Sequence, residues 1–211
     1  MERNQGSARS LEEKEVTSIG SEQMKIISNL SLGGNYRKII LTHSLQSIDS
    51  SPGTCCIIND RWLAVAEITS QTLSFVTKGD SFLVREPVST FEFPAGKGFS
   101  SHTPQHALVI AAGTGIGAIS RIVHDRTLKS LSTKVLILGR EFSQELVWEN
   151  FPQFRSATIW DTVKLGRPEH ILSNFYDSTH STEIYVAGPK SLVESIRFDA
   201  QSYSAICHTN F

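Results

Sequence analysis

The chain is poor in cysteine, has no excess of charge of either sign, and contains no long apolar run. Its three cysteines, Cys55, Cys56 and Cys207, form no Cys-x-x-Cys pair, so the usual ligand spacing of an iron–sulfur or zinc site is missing and no metal is expected. They read instead as small buried hydrophobes. Twenty Lys and Arg against 21 Asp and Glu leave a formal net charge of −1, which gives no electrostatic argument for nucleic acid or an anionic membrane as partner. No apolar run approaches the ~20 residues of a transmembrane helix, and Met1 to Ser7 carries no apolar signal core; the expected location is the cytoplasm. Of the histidines, His43, His102, His106, His124, His170, His180 and His208, one pair, His102 and His106, stands at a His-x-x-x-His spacing, with Pro104 between them; all seven read as exposed or capping groups. Ser120 lacks the Gly-x-Ser-x-Gly elbow of a hydrolase nucleophile.

What is present divides the 211 residues into a tail and two parts. Residues 1–23 are polar, rich in Glu and Ser, and are expected to form a flexible tail. Residues 24–104 form the first part, in which the pattern from Met24 to Phe99 has a period of two. Strands are expected at Lys25–Asn29, Tyr36–His43, Thr54–Ile58, Leu63–Ile68, Thr72–Thr77 and Ser89–Phe93, separated by turn residues such as Gly33-Gly34-Asn35, Asn59-Asp60 and Lys78-Gly79-Asp80. Six short strands imply a small antiparallel barrel or sandwich. Residues 105–211 alternate instead. Helices are expected at Ala118–Leu131, Gln144–Asn150, Pro168–Phe175 and Lys190 to about Ser204, set between strands at Ala107–Ala112, Lys134–Leu138, Thr158–Asp161, Glu183–Ala187 and Ala205–His208. Such alternation predicts a doubly wound parallel sheet of Rossmann-like α/β type.

The chain declares its chemistry at Ala107 to Val123. An unbroken apolar run to Ala112 is followed by Gly113, Thr114, Gly115, Ile116 and Gly117, and then by Ile119, Ile122 and Val123 at helical spacing. A buried strand, a glycine turn and a helix start allow a phosphate to approach the backbone, where unpaired N–H groups and the positive end of a helix dipole receive it. Two more loops follow strands on the same edge: Gly139-Arg140-Glu141 and Gly188-Pro189. Arg140 and Arg167 either clamp a phosphate or are solvated. Asp161 either meets a ribose hydroxyl or is an ordinary exposed charge.

Several motifs, in order, resemble the ferredoxin–NADP reductase superfamily. Ser51-Pro52-Gly53-Thr54 is similar to its Pro-Gly-Gln turn, and the segment from Val88 to Phe99 to its last barrel strand and following turn. Ala111 to Gly117 resembles its pyridine-nucleotide pyrophosphate loop, Ile137-Leu138-Gly139-Arg140 its second α/β strand, and Leu165-Gly166-Arg167 the glycine before a helix. Ile184 to Pro189 resembles its Val-Cys-Gly-Pro motif, with Ala187 in place of the Cys. The family's Arg-x-Tyr-Ser flavin motif is matched by Arg61-Trp62-Leu63-Ala64, which keeps the Arg but has neither the stacking Tyr nor the hydroxyl. The Gly-x-x-Ser element nearest in sequence, Lys78-Gly79-Asp80-Ser81, is one residue short. Gly117-Ala118 stands where the family has Ala-Pro, and the terminal Phe211 either stacks on flavin or packs on the barrel. The resemblance implies a flavin-dependent NAD(P)H oxidoreductase. FAD or FMN would be held at Arg61, Trp62, Leu63 and Ala64, and NAD(P)H along Gly113, Thr114, Gly115, Ile116 and Gly117, with Arg140, Gly188 and Pro189. The degraded flavin motif leaves a second expectation open: a catalytically inactive fold that serves as a protein-binding scaffold.

Overall fold

The computed structural model describes residues 25–43, 51–58, 61–79, 91–92, 105–168, 170–176 and 182–209. The tail 1–23, the Asn59-Asp60 turn, Asp80 and Ser81, most of Val88–Phe99, His102, His180 and Phe211 lie outside the described residues.

Six strands open the chain: β1 (Ile26–Gly33), β2 (Tyr36–Thr42), β3 (Cys55–Ile58), β4 (Arg61–Ile68), β5 (Thr72–Lys78) and β6 (Phe91–Glu92). They form one antiparallel sheet in the order β1-β2-β5-β4-β3-β6. Period-two alternation decides its shape. Ile39 and Leu41 of β2, Cys56 and Ile58 of β3, Val65 of β4, and Leu73 and Phe75 of β5 all enter one apolar core, with Ile26 of β1 packed against it. A sheet whose successive strands share one inner face has rolled up, and this is the expected small β-barrel.

The intervening residues of the same strands point the other way. Leu32, Tyr36, Ala66 and Val76 join a second cluster whose other members come from the following α/β part. That part runs β7 (His106–Ala112), α1 (Gly115–Leu128), β8 (Ser132–Gly139), α2 (Gln144–Asn150), a 3₁₀ turn (Pro152–Phe154), β9 (Thr158–Asp161), α3 (Ile171–Phe175), β10 (Thr182–Ala187), α4 (Lys190–Ser202) and β11 (Ile206–Thr209). Its five strands are all parallel, in the order β11-β10-β7-β8-β9. Along β7, Ala107, Val109 and Ala111 face the cluster shared with the barrel. Leu108 and Ile110 face a separate one with Leu136, Ile184, Val193 and Ile196, under α3 and α4. Both faces of β7 are thus covered, which explains its unbroken apolar run.

The joint between the two parts carries one buried cation. Lys38, 5% exposed, donates from Nζ to the Asn150 carbonyl (2.7 Å). It pairs with Glu67 at 2.6 Å and lies over the Phe151 ring, 4.3 Å from its centroid. Asn150 ends α2, so the ammonium also sits at the negative end of that helix. The N-terminal edge of the parallel sheet is closed by polar bonds: Arg126 Nη2 donates to Ser132 O (2.6 Å), Arg126 Nε to Thr133 Oγ1 (2.8 Å), and His208 meets Glu183 at 2.7 Å. The opposite edge is open.

Candidate functional site

The strand order reverses between β7 and β10. α1 leads from β7 to β8 on one side, while β10 and β11 lie on the other. Carboxyl ends of strands at such a reversal splay apart and leave a crevice. Here the crevice is bordered by Ala112-Gly113 after β7 and Gly188-Pro189 after β10, and the register pairs Ala187 with Ala111 just below it.

Backbone geometry explains the glycines. Gly113 has φ +57°, in the left-handed region where a side chain is strained. A Cβ there would also lie 3.2 Å from the Tyr36 hydroxyl. The turn is shorter than the sequence implies: it comprises Gly113 and Thr114, and α1 already begins at Gly115. Gly115 is needed for space. A Cβ on it would strike the Ala187 carbonyl oxygen and stand 2.6 Å from the carbonyl carbon and 2.9 Å from Gly188 N. Gly117 lets α1 approach the barrel, since a Cβ there would lie 3.2 Å from the Ala64 carbonyl. Within the turn, Gly113 N–H donates to Leu138 O (2.9 Å), Ile116 N–H to Gly113 O (3.3 Å) and Gly117 N–H to Thr114 O (3.1 Å). The N–H groups of Thr114 and Gly115 are not spent in these bonds and stand at the positive end of a 14-residue helix.

A cavity of about 600 Å³ extends from this turn across the ends of β8 and β9 to α4, a size that suits a nucleotide. Gly113, Arg140 and Pro189 line it, as do Lys78, Arg167 and Asp199, over an apolar floor that includes Leu138, Ile171 and Ile196. Arg140 is exposed, so its guanidinium is available at the cavity wall. Thr114, Gly115, Ile116, Gly117 and Gly188 do not line this cavity. Gly188 stands beside the glycine turn, and Ile116 is fully buried in the core below it.

Two residues set the shape of the cavity. Tyr36, on β2, lines it with its ring against Phe142 (centroids 4.3 Å apart) and the Lys78 ammonium 6.0 Å from its centroid. Burial pushes its pKa up, and the Arg140 guanidinium and a backbone hydrogen bond with Arg140 partly offset this. Asp161 is not an ordinary exposed charge. It is 9% exposed, and its Oδ1 accepts from Val163 N–H (2.9 Å) and Glu141 N–H (3.2 Å), while Lys164 Nζ lies 3.6 Å from Oδ2. These donors, Val163 foremost, hold its carboxyl below the usual range despite some desolvation. Asp161 therefore ties the Gly139-Arg140-Glu141 loop to β9. The sequence signals nothing about Tyr36, because a strand aromatic facing a core and one facing a cavity look alike.

The flavin segment divides by strand parity. Leu63 is half-buried and packs against the barrel core. Ala64 packs against the cluster shared with the α/β part. Trp62 lies on the same face as Ala64 and is 54% exposed, and Arg61 at the strand start is exposed. The described segment thus offers a cation and an indole to a flavin, but no hydroxyl. Among the described residues no helix is long and apolar enough to cross a membrane.

No protein-family profile and no curated protein matches the chain by sequence. Solved structures match by shape. The ferredoxin reductase in carbazole 1,9a-dioxygenase, in an FAD apo form, superposes with a TM-score of 0.72 at 16% identity, over 89% of this chain and 65% of that one. The flavohem-like FAD/NAD-binding domain of nitric oxide dioxygenase from Vibrio cholerae O1 biovar El Tor gives 0.70 at 12% identity, over 88% of this chain and 96% of that domain. An intact type IV self-sufficient cytochrome P450 monooxygenase gives 0.69 at 13% identity, and the chain spans 28% of its length. At these identities the likeness is one of fold: the chain has the fold of the ferredoxin-reductase-like FAD/NAD-binding domains.

Proposed function

We propose that the crevice between β7 and β10 binds a nicotinamide dinucleotide and that the chain is the reductase module of a flavin-dependent oxidoreductase. One observation carries the nucleotide half: Gly113, Arg140, Arg167 and Pro189 line one cavity at the switch point, and the unspent N–H groups of Thr114 and Gly115 follow directly on Gly113. In this reading the glycine turn receives the diphosphate through its backbone. Arg140, on a loop fixed by Asp161, adds a charge-assisted contact. Gly188-Pro189, across the crevice from the glycine turn, would border the nicotinamide end. Ala187, in place of a thiol, gives that end no sulfur contact.

Flavin, when bound, would accept a hydride from the nicotinamide and release electrons singly or in pairs. Arg61 would hold its phosphate, and Trp62, not Leu63, is the aromatic available to cover its ring. The protein partner that receives the electrons is of unassigned class, and the cytoplasm is the proposed setting. The assignment of residues 24–104 to flavin and 105–211 to the dinucleotide belongs to the same reading.

The inward turn of Leu63 and the missing hydroxyl at Ala64 favour a second reading, a scaffold that has kept the fold without flavin. The two separate on the purified intact chain. The reductase reading expects flavin's visible absorption band, bleached by NADH or NADPH without oxygen, and loss of flavin in Arg61→Ala. A colourless protein that takes up neither FAD nor FMN supports the scaffold.

A further inference from the structure

The cavity wall made by α4 is chemically unlike the rest. Ser191, Ser195 and Asp199 all line the cavity at four-residue intervals. They therefore form one stripe on that helix, about 12 Å long at 1.5 Å per residue. Val193, Ile196 and Ala200 bury the helix against the sheet. At the far end of the stripe, Asp199 also borders a neighbouring hollow of about 200 Å³ together with His170.

Asp199 and Arg167 both face the main cavity. Among the described residues neither takes part in a hydrogen bond or an ion pair with protein. Opposite charges on one cavity wall pair when they can reach each other. Here one is on a rigid helix and the other on the loop after β9, so they remain apart with the space between them open. A cavity with cations at Arg140 and Arg167 and an unpaired carboxylate beyond two serine hydroxyls matches a ligand with an anionic middle and a hydroxyl-bearing end.

We propose that Asp199 accepts the hydroxyls of the adenosine ribose and thereby selects the dinucleotide without a 2′-phosphate. This rests on the nucleotide reading above. A carboxylate is an acceptor only, and a ribose diol offers it two O–H donors. A 2′-phosphate at the same place brings a second anion against the carboxylate. Ser191 and Ser195 supply hydroxyls along the approach.

The test is calorimetric titration of the full chain with ADP-ribose and with 2′-phospho-ADP-ribose, neither of which needs a flavin or a nicotinamide ring. The wild type is expected to bind ADP-ribose roughly tenfold tighter. Asp199→Asn is expected to weaken ADP-ribose and strengthen the 2′-phosphorylated form, bringing the two near parity, while Asp199→Glu keeps the preference. A fold defect would instead weaken both ligands alike. Tighter binding of the 2′-phosphorylated form by the wild type, the result expected if Arg167 receives that phosphate, overturns the proposal. So does an Asp199→Asn variant whose preference is unchanged. Wild-type protein that binds neither ligand overturns the nucleotide reading as well, which distinguishes the two failures.

Discussion

Gly115→Ala sets two physical effects of opposite sign against each other. Gly115 is the first residue of α1 and its φ is not positive, so alanine fits the backbone. Helix propensity alone predicts a gain of up to about 1 kcal/mol. The added methyl, however, would strike the Ala187 carbonyl oxygen and stand 2.6 Å from the carbonyl carbon. These are backbone atoms of a central strand hydrogen-bonded on both sides, so no flexible side chain can give way. Overpacking of this kind costs about 1–3 kcal/mol, and the rigid neighbour places it toward the upper end. The net expectation is a loss of about 1–2 kcal/mol after the propensity gain is deducted. For a chain of this size that lowers Tm by roughly 2–8 °C. Dinucleotide affinity should fall as well, because relief of the clash moves the Gly113-Thr114 turn away from Gly188. Thermal unfolding followed by circular dichroism measures the first effect and calorimetry the second. A Gly115→Ala variant that melts at or above the wild-type temperature refutes the packing argument.

Other perturbations reach different parts of the molecule. Lys38→Met leaves the Asn150 carbonyl without its donor and Glu67 without its cation. Since Glu67 is 38% exposed and can hydrate, a loss of about 1–3 kcal/mol in denaturant unfolding is expected, with part recovered in the double variant with Glu67→Gln. Asp161 has its carboxyl held below its ordinary value; a lowered folded pKa stabilises above about pH 4 and the effect is lost as pH falls through the folded value. Melting curves of wild type and Asp161→Asn should therefore differ at neutral pH and converge in acid; a constant difference from pH 7 to pH 2 contradicts the loop-anchor role. Burial pushes the Cys207 thiol up to about 11, so at pH 8 it should alkylate roughly 100-fold more slowly than an unperturbed thiol, as read by mass spectrometry.

Much of this was legible in the residues, and the exceptions have physical causes. The unbroken run Ala107–Ala112 announces a strand buried on both faces, and β7 lies between two cores. Thr158–Asp161 and Gln144–Asn150 fall where their patterns place them. The start of α1 lies three residues before the expected Ala118, because Gly115 and Gly117 read as turn residues. They are in fact helical, chosen for close approach to β10 and β4 rather than for an unusual φ. Alignment to a motif does not report strand parity, which packs Leu63 with Val65 against the barrel core and turns Ala64 toward the α/β part. Asp161 could not be read at all, since its role is made by backbone N–H groups of Glu141 and Val163, which no side-chain pattern reports. The same holds for Lys38 and Asn150, which meet across 112 residues of chain.

The central claim is that the crevice at the strand reversal is a dinucleotide site. It is tested most directly by titrating the intact chain with NAD⁺ and NADP⁺ while recording backbone amide shifts by NMR. The account predicts saturable shifts concentrated at Thr114, Gly115, Arg140 and the residues around Gly188. A titration in which these amides stay still, at nucleotide concentrations well above the millimolar range, contradicts it.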